Sequence, residues 1–217
     1  MTDPNFYIET PRLYISYYIG SNDAHCDFIL ALSHDPKFTK GQGGASSPLK
    51  DREAARNAIN VLAEQQAKDG FGRFLVSLKS PDAVEATAGG SFAEIQAKCE
   101  MVGTVTMKLR PHPKAPKVPD MGYSLLSPYH GKGYATEAAK GMLKYFEEER
   151  GVKDMVAFCY PDNEESKNVM RRLGFEDRGV WLVKGLGWGE YTEEGSEDLV
   201  WAKPGMDQDL KVYGIGV

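Results

Sequence analysis

Cysteine is scarce. Cys26, Cys99 and Cys159 are the only three. An odd, widely spaced set supports neither a disulfide framework nor the close pairs of a zinc site, so a reducing, cytoplasmic setting is expected. Histidine is as thin. His25, His34, His112 and His130 stand apart in the chain, and no metal site is expected from them. An excess of positive charge is missing too: 26 Lys and Arg against 31 Asp and Glu leave a net charge of −5 and a pI near 5.5. That balance argues against nucleic acid as the partner. No apolar run approaches membrane-spanning length, and Met1–Asn5 does not open a basic-then-apolar signal, so no membrane association is expected. There are no internal repeats.

What remains is an ordinary globular composition, 217 residues with 41% hydrophobic and 26% charged side chains, which fits one domain over 1–217 with a substantial core. Residues 12–19 are rich in β-branched and aromatic side chains and read as a first strand. Asn22 or Asp23 caps a helix to about Leu32, and 39–48 is a Gly- and Ser-rich loop. Asp51 to about Lys68 has apolar residues at helical spacing and ends at Gly70. Residues 73–79 and 102–110 read as neighbouring strands. Between them, 80–100 lacks a clean period and reads as an insertion with a short helix, while 111–119 is a Pro-rich loop. The centre then runs strand 118–126, helix 134–149 stopped by Gly151, strand 155–160, and a helix capped by Asn163 and ended by Gly174. Val180–Lys184 and Asp198–Lys203 close the β region. The expected fold is mixed α/β: one twisted central sheet with helices on both faces, a core of about 9–202, and a tail over 204–217.

The most informative stretch is Tyr129-His130-Gly131-Lys132-Gly133-Tyr134-Ala135-Thr136-Glu137-Ala138. It follows an apolar strand and the breaker pair Ser127-Pro128, and it opens an amphipathic helix. Two glycines leave amides unshielded where the helix dipole is positive, an arrangement suited to a diphosphate. By itself the same pattern also fits a plain turn with an N-cap. The spacing is neither Gly-x-x-x-x-Gly-Lys-Ser/Thr nor Gly-x-Gly-x-x-Gly. It resembles the coenzyme A pyrophosphate loop of the GNAT acetyltransferase superfamily, Gln/Arg-x-x-Gly-x-Gly/Ala, with His130 standing where Gln or Arg is usual. A second resemblance is Asn163-Glu164-Glu165-Ser166, followed by an apolar helix and Leu173-Gly174-Phe175. A third is the opening Glu9-Thr10-Pro11-Arg12-Leu13, similar to the branch of ribosomal-protein N-terminal acetyltransferases. With Gly122-Tyr123-Ser124-Leu125, the likeness covers residues 9 to about 202.

The resemblance implies an acetyl-CoA-dependent N-acetyltransferase acting by direct attack in a ternary complex. The acceptor would be a primary amine, on a small molecule or a peptide N-terminus, and a homodimer is compatible with it. Backbone groups of Leu125 and Leu126 would pair with the pantetheine like an added strand. Gly131, Lys132, Gly133, Tyr134, Ala135 and Thr136 would hold the diphosphate, and Asn163 would bond the pantetheine arm, or simply cap its helix. Many relatives carry a Tyr that protonates the departing thiolate four residues before the Gly of Leu-Gly-Phe; here that residue is Met170. Ser166 is therefore the candidate donor, with a packed helix serine as the alternative. Asp120 matches an acidic position before Gly122 and is read either as the base for the ammonium proton or as a solvated strand start. Arg178 stands where the branch often has Glu, which weakens a base from Glu176 or Asp177. The loop 185–197, with Trp188, Tyr191, Glu190, Glu193 and Glu194, would rim the acceptor mouth or form a solvated hairpin. The alternative function is a non-catalytic acyl-CoA-binding protein on the same fold.

Overall fold

The structure is a computed structural model that describes residues 3–41, 44, 46–81, 90–186 and 194–217. Eight strands form one mixed sheet in the order β1-β2-β3-β4-β5-β6-β8-β7. They are β1 (Tyr7–Glu9), β2 (Leu13–Tyr17), β3 (Gly72–Leu78), β4 (Glu100–Lys108), β5 (Asp120–Leu125), β6 (Val156–Cys159), β7 (Glu176–Val183) and β8 (Ser196–Ala202). The helices are α1 (Asp23–Ser33), α2 (Pro36–Gly41), α3 (Arg52–Asp69), α4 (Phe92–Gln96), α5 (Tyr134–Glu148) and α6 (Glu164–Leu173). All pairings are antiparallel except β5 with β6.

The period of two along each strand divides the side chains between the faces. Leu13, Ile15, Phe74, Val76, Val105, Met107 and Met121 meet Ala138, Ala139, Met142 and Phe146 of α5 and Val169 and Met170 of α6 in the largest core cluster. On the opposite face, Tyr18 and Leu75 pack with Cys26, Ile29 and Leu32 of α1 and Ala55 and Ile59 of α3. Farther along that face, Val156, Phe158, Val200 and Ala202 are covered by Met206, Leu210 and Ile215. Residues 204–217, set apart in the sequence as a tail, are thus part of the core at this end. The middle of the second face carries the polar residues Arg73, Thr106, Lys108, Asp120 and Ser124, and its two ends are the apolar ones.

Local chemistry accounts for most boundaries. Asn22, Asp51 and Asn163 cap α1, α3 and α6 with side-chain oxygens, and left-handed Gly70 and Gly174 end α3 and α6. In the insertion, the N–H of Ser91 donates to Glu94 at 2.7 Å and starts the short α4. Residues 82–89 of that insertion lie outside the described residues. Three expectations shift. The three-residue β1 precedes the expected first strand. Helix α2 enters the region read as loop, because Pro36 suits a helix start. Helix α5 ends at Glu148 with Glu149 as its cap, and Gly151, with φ +65°, lies beyond that cap. Among the described residues no helix is long and apolar enough to cross a membrane.

Candidate active site

Strands β5 and β6 share a single register pair, Asp120 with Val156. Beyond it they part, and the sheet opens toward the C-terminal end of β5. Backbone parity decides which groups face the opening. The N–H of Leu126 donates to Val102 O at 3.0 Å, and the Leu126 carbonyl accepts from Tyr129 N–H at 3.0 Å. Both backbone groups of Leu126 are therefore engaged away from the gap. Leu125 and Tyr123 alternate with it and turn their backbone groups toward the gap. The strand-like pairing anticipated at 125 and 126 is thus available at 123 and 125. The Leu125 carbonyl itself lies 3.0 Å from Nε2 of His130, a ring that the motif comparison left without a task.

The turn that follows has the conformation its glycines suggested. Gly131 has φ +75° and Gly133 has φ +80°, both left-handed, while no non-Gly residue described has a positive φ. Alternating the hand of successive residues makes their N–H groups converge into a concave anion cradle. No amide from Gly131 to Thr136 has an acceptor among the described residues. Tyr134, Ala135 and Thr136 belong to the first turn of α5, where no intrahelical acceptor exists. Lys132 stands beside them, its ammonium 5.3 Å from the Tyr129 ring centroid.

Two side-chain clasps hold this cradle, and one explains the opening motif of the chain. Glu137 of α5 accepts from Thr10 Oγ1 at 2.7 Å, from Arg12 N–H at 2.8 Å and from Arg12 Nε at 2.6 Å. Burial alone would push the Glu137 carboxyl up, but these bonds outweigh it and hold the group below its ordinary range. Arg12 also donates from Nη1 to Lys132 O at 3.0 Å and lies 4.5 Å over the Tyr134 ring. On the other side, Asp35 accepts from Ser127 N–H at 2.9 Å and from Ser127 Oγ at 2.7 Å. Nδ1 of His130 sits 3.1 Å from Glu165 and 3.2 Å from Lys37 Nζ, joining the α2 segment to α6 across the turn.

Asn163 and Ser166 flank the gap at the start of α6. Asn163 Oδ1 accepts from Ser166 N–H at 3.0 Å, so its cap role is realised while its side-chain NH2 has no partner among the described residues. Ser166 is part-buried, and its carbonyl accepts from the Tyr123 hydroxyl at 3.3 Å. Burial, first of all, raises the Tyr123 phenol and keeps it protonated. In the sequence Gly122-Tyr123-Ser124-Leu125 marks a strand, and nothing local signals this hydroxyl's contact with α6.

The floor of the open face carries charge. Asp120 is buried and bound by Arg110 through Nε at 2.6 Å and Nη2 at 2.9 Å. This bidentate pairing replaces the solvated strand start considered from the sequence. Lys108 faces Asp120 across the β4–β5 ladder. Burial, then the charges of Arg73 and Arg110, pull its ammonium down to about 7, against an upward pull from Asp120. Lys108 was not singled out from the sequence, because only the register brings it opposite Asp120. Trp188, Tyr191, Glu190 and Glu193, named as an acceptor rim, lie outside the described residues.

The acetyltransferase (GNAT) domain family matches residues 20–176 of this chain. An uncharacterized N-acetyltransferase, YnaD of Bacillus subtilis, is 33% identical over 72 residues, 32% of this chain and 42% of that relative. The chain is thus matched to less than half of that relative's length. Among solved structures, a putative ribosomal-protein-serine acetyltransferase from Vibrio cholerae superposes with a TM-score of 0.66 at 17% identity, covering 94% of this chain and 99% of the other. RimL, a ribosomal L7/L12 α-N-protein acetyltransferase solved in complex with coenzyme A, gives 0.61 at 18% identity, covering 91% and 97%. At these identities the likeness is one of fold.

The left-handed turn yields a direct test. Val at position 133 must adopt a φ that β-branched residues avoid, and its Cβ would stand 3.4 Å from Arg12 Nη2, the guanidinium that braces the turn. Gly133→Val should weaken coenzyme A binding more than tenfold, about 1.4 kcal/mol or more. Calorimetry on a folded variant with unchanged affinity would remove the turn from the binding site.

Proposed function

Because the chain belongs to the GNAT acetyltransferase family, we propose that it transfers the acetyl group of acetyl-CoA to a primary amine by direct attack in a ternary complex. The observation that carries this reading is the parting of β5 from β6 after one backbone pair, with a run of amides at its mouth that have no acceptor among the described residues. Gly131 to Thr136 bind the diphosphate, with Lys132 adding charge. The pantetheine lies along the gap-facing backbone of Tyr123 and Leu125, within reach of the free side-chain NH2 of Asn163. The thioester then rests near the middle of β5, and the acceptor enters from the polar face, between the α1–α3 side and the C-terminal cover.

The amine nitrogen attacks the thioester carbonyl carbon, a C–N bond forms, and the C–S bond breaks with the electron pair leaving on sulfur. Two protons must move. One leaves the acceptor nitrogen, and a group that is half neutral near pH 7 suits that transfer. Lys108 fits that requirement. Asp120 stays in the reading as the neighbour that tunes Lys108, or as the base itself. The other proton goes to the thiolate. Ser166 is the proposed donor, with Tyr123 beside it as the second hydroxyl of the gap. The acceptor is a small molecule or a peptide N-terminus.

Release of free thiol from acetyl-CoA should depend on an added amine across a panel of small amines and peptides. Coenzyme A binding without turnover on any of them would make the chain an acyl-CoA-binding protein. The rate should climb with pH through about 7 and then level, since neutral Lys108 accepts the proton. Asp120 raises Lys108, so Asp120→Asn should move the acid limb to lower pH. If Asp120 were the base, the same change would abolish that limb, so the profile separates the two roles.

Ser166→Ala should lower kcat by about 10²-fold or less with acetyl-CoA affinity nearly kept. Wild-type turnover in that variant would return Ser166 to packing and leave Tyr123→Phe as the next test.

A further inference from the structure

Of the four histidines only His25 is buried, 2% exposed in the first turn of α1. The acetyl-transfer reading does not use it. Its hydrogen bonds have one consistent direction. The Ile19 N–H lies 3.0 Å from His25 Nδ1. A backbone N–H can only donate, so Nδ1 carries a lone pair. A neutral imidazole bare at Nδ1 has its proton on Nε2, and Nε2 stands 3.0 Å from Gln96 Oε1. That orientation of the amide leaves Gln96 Nε2 to donate to Ser16 Oγ. One backbone amide thus fixes the tautomer of the ring and the direction of the amide beyond it. The row His25–Gln96–Ser16 is buried throughout and ties α1 to α4 and to β2.

Helix α4 belongs to the insertion between β3 and β4, and its other anchors are apolar. Phe92 stacks on Tyr7 with ring centroids 4.4 Å apart and meets Tyr14 edge-on at 5.5 Å. Ile95 completes that small cluster. Gln96 is the residue of α4 that bonds to α1.

A proton on Nδ1 would break this row at its source. The Ile19 N–H would then face another N–H, and a charge would stand where no counter-charge is built. Burial, first of all, pulls this imidazole down, against an upward pull from the Gln96 bond. The surrounding elements offer nothing to offset the charge. Just past β2, Tyr18 meets the ring edge-on at 6.0 Å, with a phenol kept protonated chiefly by burial. On α1 and α3, Asp23 and Asp27 are taken at the surface by Arg52 and Arg56, and the Cys26 thiol donates to Gly20 O. On α4, Glu94 is taken by Ser91.

We propose that the His25–Gln96–Ser16 row is an acid-released latch on the insertion: it holds α4 against α1 and β2 while His25 is neutral, and protonation of His25 frees α4 with the rest of the fold intact. In the released state the ring is solvated and titrates at its ordinary value of about 6.5. In the latched state it stays neutral below that value. The latch is therefore fully present above about 6.5 and is lost as pH falls below it, the released fraction growing by at most about tenfold per pH unit.

Hydrogen exchange, corrected for the intrinsic rate, tests the latch. The amides of Ala97 and Cys99 bond within the α4 segment at 3.0 and 2.9 Å. Their protection should fall by about tenfold or more between about pH 7.5 and about pH 5. At both pH values it should stay well below that of Val105 in the middle of the sheet. His25→Asn places an amide oxygen near the Nδ1 position, where it can accept from Ile19, and it cannot titrate. Protection of Ala97 and Cys99 in that variant should not change over the same range. In the wild-type protein, nitrogen NMR at the higher pH should find the His25 proton on Nε2. Unchanged protection in wild type overturns the latch, and so does an equal fall in His25→Asn. Protection of Ala97 equal to that of Val105 overturns it too, since α4 would then open only with the whole fold. A proton on Nδ1 at the higher pH removes the tautomer on which the latch rests, and that measurement needs no variant.

Discussion

The arrangement turns on one backbone pair. Asp120 and Val156 meet, and past them β5 and β6 diverge. A continuous ladder would have consumed the N–H and C=O groups of Tyr123 and Leu125, and no outside chain could then be read by hydrogen bonds at that place. The split spares them from a ladder, with the Leu125 carbonyl meeting His130 Nε2 instead, and it does so where α5 begins. The amides of the α5 start therefore stand at the mouth of the gap, in line with the free backbone of β5. The packing beneath secures the geometry. Phe146, Met142 and Ala139 of α5 lie fully buried against Phe74, Met107 and Met121, so the helix cannot tilt to close the gap without opening the core.

Divergent strands need external bracing, and the clasps provide it from both flanks. Arg12 and Thr10 reach α5 from the chain's start, a sequence separation of 127 residues for the Thr10–Glu137 bond. Asp35 reaches Ser127 from the helical hairpin on the other face. An exposed ion pair is worth little. Glu137 differs because its carboxylate is part-buried and accepts from a hydroxyl, a backbone amide and a guanidinium together, the kind of charge-assisted cluster that fixes position.

The legible parts of the chain were those encoded locally. Gly131 and Gly133 declare themselves because left-handed φ favours glycine, and Asn163 and Gly174 mark helix ends through side-chain and backbone chemistry of their own. The opening motif around Arg12 was legible as a pattern, but its task needed the fold, since Glu137 lies far along the chain. Asp120 was singled out while Arg110 was not, because their pairing depends on how a loop returns to the sheet. Lys108 and Arg73 look like ordinary strand-end cations until the register aligns them with Asp120 and Gly122. Strand β1 escaped notice because three residues show no usable period. Leu126 was grouped with Leu125, yet its backbone groups bond to Val102 and Tyr129 and point away from the gap, because alternate residues of a strand turn their backbone groups opposite ways.

The polar face shows the same logic at the level of energy. A sheet face between two apolar covers is most stable when it too is apolar, yet here it holds Arg73, Lys108 and the Arg110–Asp120 pair. Only that last pair is internally neutral and hydrogen-bonded. Lys108 gains neutrality by giving up its proton near pH 7, which is chemically the property a proton acceptor needs. Arg73 has no such exit, since a guanidinium keeps its charge under all ordinary conditions. The two cations therefore divide the face. The one that can shed its proton stands opposite Asp120 near the parting of the strands, and the one that cannot stands on β3, part-exposed, where water reaches its charge.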